Sequence, residues 1–187
     1  MRYSVLLPSV LKLNFQAFWG AVFISAVAFV SCGETAHSGS HTFHTPIEYH
    51  DFIVDQQNAI IRQMLKLNEL YDSGSEAGIR ARFDSLQNTS KLCLENISSL
   101  STYDNDATLK RDALLLFQFY DTIFHAEYPR MLEIFLKGDL ASEAELLELN
   151  SIVSNVGNRE KILQDGLVKS QSRFAGEHRF EFSPNGE

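Results

Sequence analysis

From Ile47 to Phe174 apolar residues return every three or four positions, the spacing that lines one face of an α-helix. No stretch in this span alternates convincingly at the period of two that a strand requires. Four long segments follow from that pattern. The first covers about Ile47 to Tyr71, with a stripe of Ile53, Ile60, Met64, Leu67 and Tyr71 widened by Phe52, Ile61 and Leu65. Pro46 suits its first helical position after Thr45 as cap, and Asp72-Ser73-Gly74 ends it. Ser73 with Glu76 has the spacing of a capping box for the second segment.

The second segment runs from about Ser75 to Leu100, and its stripe of Ile79, Phe83, Leu86, Ser90, Cys93, Ile97 and Leu100 alternates steps of four and three. That is the seam of packed helices, and it makes Cys93 a buried thiol. Ser101 to Asp106 is turn chemistry, with Asp106 placed to cap the next helix. The third segment, about Ala107 to Lys137, carries Leu109, Ala113, Leu116, Phe117, Tyr120, Ile123, Phe124, Tyr128, Met131 and Phe135 inward, and Gly138 stops it. Ser142 with Glu145 opens the fourth, whose stripe includes Leu146, Leu149, Val153, Val156, Leu163, Leu167 and Phe174 and which ends near Gly176. Phe180 and Phe182 in the tail are expected to fold back over the end of the helices. Four such helices with short loops predict an all-α fold, an antiparallel up-down-up-down four-helix bundle. Pro129, inside the third segment, predicts a kink there.

The start of the chain follows a different pattern. Arg2 and Lys12 precede an apolar run from Ala17 to Val30 that ends in Ser31, Cys32 and Gly33, the order of a secretory signal. The run is too short to cross a hydrocarbon core of roughly 30 Å, which takes about 20 helical residues. A small residue directly before a cysteine makes Cys32 a candidate for lipidation, although Phe29 stands where the common bacterial pattern prefers Leu. Acyl chains on Cys32 would attach the protein to a membrane, each buried CH2 adding about 0.8 kcal/mol. The expected organisation is a signal peptide over 1–31, a Gly-, Ser-, Thr- and His-rich tether over 32–46, and the helical domain over 47–187. Export with a lipid anchor places the protein at the bacterial cell envelope, with the outer membrane as the expected site.

Charge narrows the partners. The chain holds 16 basic and 24 acidic residues, a net −8; removing residues 1–31 takes Arg2 and Lys12 and no acid, which raises the excess to −10. Clustered Lys and Arg, which nucleic-acid phosphates require, are missing, so nucleic acid is not an expected partner. Once Cys32 is lipidated, Cys93 has no disulfide partner within the chain, and stability has to come from apolar burial.

Candidate chemistry is sparse. The predicted helices lack the Glu-x-x-His pairs of di-iron bundles: Ile47, Thr122 and Ala175 stand three before His50, His125 and His178. His37, His41, His44 and His50 crowd the tether, yet a flexible segment gains little from closing on a metal, and no metal or other cofactor is expected. Asp121 and His125 share a helix face, but no serine or cysteine nucleophile accompanies them, which argues against an enzyme. The run FQFYDTIFHAEY before Pro129 suggests one candidate ligand pocket, formed by Tyr120, Phe124, His125 and Tyr128. Such a pocket would suit a small apolar molecule or a haem, with Met64 and His125 as conceivable ligands. The competing expectation is that the rings only fill the space that the kink opens. Gly157 and Gly166 would permit close backbone approach. Glu143, Glu145 and Glu148, and the run Arg159-Glu160-Lys161, are expected on solvated helix surface.

AFVSC at 28–32, YHDFIVDQQNAIIRQM at 49–64 and RFAGEHRFEF at 173–182, set around a tether and four helices, resemble the small helical surface lipoproteins of spirochaetes and Bacteroidota. The resemblance implies a membrane-anchored, non-enzymatic helical protein whose partner is an unknown envelope or host protein. It supplies no functional residues to carry over.

Overall fold

The computed structural model describes residues 42–71 and 74–182, and these are all-helical. In chain order the elements are α1 (Pro46–Tyr71), α2 (Glu76–Ser99), α3 (Thr108–His125), α4 (Glu127–Lys137), a 3-10 turn (Gly138–Leu140) and α5 (Glu143–His178). Cys32, the signal segment and most of the tether lie outside the described residues, as does Ser73.

Helix ends follow local chemistry. The Thr45 hydroxyl accepts from the Glu48 amide at 3.1 Å, while Glu48 accepts from the His44 amide at 2.8 Å, so Pro46 opens α1 as expected. The cap of α2 is Ser75, which accepts from the Gly78 amide at 3.1 Å, so Glu76 is the first residue of the helix and not the far member of a box. Asp106 accepts from the Thr108 amide at 2.8 Å and from Arg173 at 2.6 Å, which ties the start of α3 to the far end of α5. Gly138 leaves α4 with φ 54°, in the left-handed region that glycine tolerates. The capping box of Ser142 and Glu145 is complete. α5 runs two residues past Gly176, to His178, before Arg179 turns left-handed at φ 61°.

The expected third helix is two helices. α3 ends at His125, Ala126 leaves the regular path with φ −109° and ψ −63°, and α4 begins at Glu127. Proline explains where the chain restarts. In mid-helix it would remove a hydrogen bond and strike the carbonyl four residues back; within the first turn of a helix its missing N–H is not needed. A new helix that begins at Glu127 places Pro129 in such a first turn.

All five helices contribute to one apolar core. Along it, α1 packs on α2, α2 on α3, and α3 and α4 on α5, which also touches α1. Tyr49, Ile53, Leu86, Leu116, Phe117, Phe124 and Phe174 are among its fully enclosed side chains. Cys93 is buried as its spacing predicts: its thiol donates to the Gln56 carbonyl at 3.4 Å, and burial pushes its pKa up to about 12. Phe43, from the segment expected as tether, packs edge-on against Tyr49 and Phe52 at 5.2 and 5.5 Å. Phe180 and Phe182 do fold back, each meeting the His50 ring, at 5.5 and 5.1 Å. At Gly166 a Cβ would meet nothing within 4 Å, so the close approach that glycine permits is not used there.

Candidate functional site

Tyr120, Phe124 and Tyr128 are spaced by four and therefore stand in a row along one side of α3 and its continuation. Tyr120 lies parallel to Phe124 with centroids 5.9 Å apart, and Phe124 meets Tyr128 edge-on at 4.9 Å. Tyr128 in turn lies parallel to Phe83 of α2 at 6.4 Å. All four rings are buried. His125 is not with them. Its side chain is 48 % exposed, and its Nδ1 meets the Asp121 carbonyl oxygen at 2.8 Å. Five residues beyond Tyr120, at about 100° per residue, the imidazole is carried well off the aromatic row. Three of the four expected pocket residues thus converge, and the fourth faces water.

The row is packed against its neighbours. Beside Tyr128, the space among Tyr71, Phe83, Met131, Leu132 and Phe135 amounts to about 10 Å³, roughly the room one water molecule needs. The rings themselves occupy the space around the helix break. Met64 is buried in the core, whereas His125 is on the outside, so the two do not face one interior site.

The polar centre of the molecule is a residue expected on the surface. Glu160, on α5, is only 2 % exposed. The chain runs outward on both sides of it: Arg159 pairs with Glu127 at 2.9 Å and covers the Phe119 ring, and Lys161 pairs with Asp165 at 2.6 Å. The signal for this burial is present in the sequence. Leu149, Val153, Val156, Glu160, Leu163, Leu167, Ser170 and Phe174 follow steps of four and three without a break, so position 160 belongs to the inward stripe despite its charge.

Around Glu160 the hydrogen bonds form a directed chain. Gln57 of α1 donates to Gln164 at 3.0 Å, Gln164 donates to the Tyr120 hydroxyl at 2.7 Å, and that hydroxyl donates to Glu160 Oε1 at 2.8 Å. Burial raises the Glu160 carboxyl to about 7 against the smaller, opposing effect of the Tyr120 hydrogen bond. Burial first, and then the nearby Glu160, hold the phenols of Tyr120 and Tyr128 well above the usual tyrosine range. Chemically, the arrangement offers a buried carboxyl, raised by burial, with a single phenol hydrogen bond to it.

A second cluster lies where α1 begins and α5 ends. Tyr49, Tyr103 and Phe174 pack ring to ring beside His50, whose Nδ1 is 3.1 Å from Asp51 Oδ1. Burial pushes Tyr49 up to about 12, with Asp106 adding to the effect. Of the tether histidines, His37 and His41 lie outside the described residues. Among the described residues no three His, Cys, Asp or Glu side chains converge as a metal site would require.

No protein-family model, curated protein or solved structure matches the chain.

Proposed function

We propose that the protein is a lipid-anchored helical component of the bacterial cell envelope, held through Cys32, that works as an interaction or structural module and not as an enzyme. The observation that carries this reading is the sequence AFVSC at 28–32, a basic-flanked apolar run ending in a small residue and a cysteine. A core closed by its own rings, with about 10 Å³ free beside Tyr128, supports a role exercised from the outer surface. The partner is then an envelope or host protein, and the outer membrane is the site of attachment.

The architecture suited to that role is an up-down-up-down bundle of four rods, the third formed by α3 and α4 and bent at Ala126. Contacts between neighbours support it, because they pair residues in opposite order. Lys110 bonds the Ser98 carbonyl at 3.2 Å while Gln87 bonds that of Phe124 at 2.7 Å. Likewise Arg173 meets Asp106 at 2.6 Å, Glu160 meets Tyr120 at 2.8 Å and Glu148 meets Arg130 at 2.7 Å. Such a bundle, joined at one end to a flexible tether, would present its helix faces within the tether's reach of the membrane.

The test is fractionation and external proteolysis of intact cells expressing the protein and its Cys32→Ala variant. The protein is expected in the membrane fraction and the variant in the soluble one, with protease access reporting on which side the bundle stands. Two soluble forms would remove the anchor and the envelope role built on it.

A further inference from the structure

We propose that Glu160, Tyr120 and Gln164 form a proton-operated latch between α5 and α3: a protonated Glu160 keeps the two helices closed over the aromatic row, and its ionisation loosens them there.

The geometry leaves a negative charge at this position without support. From α3 the facing group is the Tyr120 hydroxyl, a single neutral donor at 2.8 Å. From α4 it is the Tyr128 phenol, which is neutral at ordinary pH. From α1 it is Gln57, uncharged and acting through Gln164. On α5 itself the adjacent cations are engaged outside, Arg159 with Glu127 and Lys161 with Asp165. A buried carboxylate is stabilised by a cation or by two or three donors, and one phenol does not replace them. A neutral carboxyl fits here, since its Oε1 still accepts the tyrosine hydrogen bond and the facing groups named above are themselves uncharged.

The direction of the effect follows from linkage. The folded carboxyl sits near 7 and the unfolded one near the ordinary 4.5, so between these values the folded state binds more protons. Stability from this group is therefore complete below the lower value and is lost as pH rises to the upper one. Across that window the folding equilibrium constant should fall on the order of 100-fold. A protein at the cell envelope meets the pH of its surroundings directly, so the latch would make its helix packing responsive to them.

The experiment compares the full chain, purified in mild detergent, with E160Q by denaturant unfolding from pH 4.5 to 8. Backbone hydrogen exchange over residues 116–124 and 156–167 is followed in the same samples. The protein is expected to lose stability through this range and to exchange faster there at its upper end, after correction for the intrinsic pH dependence. E160Q keeps the size and the acceptor without the charge, and should remove the Glu160 contribution to both changes. Tyr120→Phe, which deletes the donor favouring ionisation, should move the loss to higher pH. A carboxyl 13C titration on the unmodified protein decides the matter even if E160Q folds poorly. A Glu160 midpoint below 5, or an E160Q profile that parallels the protein's own, overturns the latch.

Discussion

The side-chain amide of Gln87, on α2, donates a 2.7 Å hydrogen bond to the backbone carbonyl of Phe124, two residues before the chain leaves helix at Ala126. Backbone pairing is irregular at this point: the Ala126 N–H approaches both the Ile123 and Thr122 carbonyls, and Pro129 has no N–H to offer the carbonyl four residues before it. The carbonyl that Pro129 leaves without this partner is that of His125, and Gln87 supplies its donor one residue earlier, beside the same irregular turn. The bond also fixes α2 against the junction of α3 and α4, next to the contact of Phe83 with Tyr128.

Gln87→Met keeps most of the side-chain volume and removes that donor. It should cost about 1 kcal/mol, the usual net contribution of a partly buried hydrogen bond, read as a lower denaturant midpoint at unchanged slope. An unchanged midpoint would mean that water serves the Phe124 carbonyl equally well.

Gly166 lies inside α5 with open space where a Cβ would go. Gly166→Ala should therefore stabilise the protein by about 0.5–1 kcal/mol, through the restricted unfolded chain and better helix propensity, and raise the midpoint of thermal unfolding. A fall instead would show that a Cβ at this position meets a neighbour in solution and that the space is not open.

Asp106 joins the start of α3 to the end of α5. Burial works against its charge, but the hydrogen bonds from Thr108 and Arg173 outweigh it and hold the carboxyl below its ordinary range. The folded state thus binds fewer protons there than the unfolded state, so the stabilisation is present above the unfolded value, near 3.9, and fades as pH falls below it. Asp106→Ala should cost about 1–2 kcal/mol at neutral pH, with the gap to the unsubstituted protein closing in acid. Asp106→Asn retains an acceptor for the Thr108 amide and should recover part of the loss; equal losses in the two variants would assign the whole effect to Arg173.

Helix positions were readable because they depend on local rules. The Thr45 and Ser142 caps, the stop at Gly138 and the inward stripes come from neighbours within a few residues along the chain, and the structure keeps them. The break in the third helix was half readable. Pro129 announces a disturbance, but whether the helix bends or restarts is not set by the proline alone, and here a new helix starts at Glu127. Gly166 shows the same limit: a glycine permits close approach, and only a neighbouring backbone can make use of it.

By itself the sequence determined the all-helical class, the ends of most helices and the burial of Cys93 and the aromatic row, since period and capping are properties of consecutive residues. It also held the period that turns Glu160 inward, beneath a charge that suggested the opposite. The tertiary structure decided what that inward position means. Tyr120 lies 40 residues from Glu160 along the chain, and Gln57 lies 107 from Gln164. This relay ends on the carboxyl only when α1, α3 and α5 pack together, Tyr120 donating to it directly and Gln57 acting through Gln164, and that packing withdraws the water that would otherwise keep the group charged.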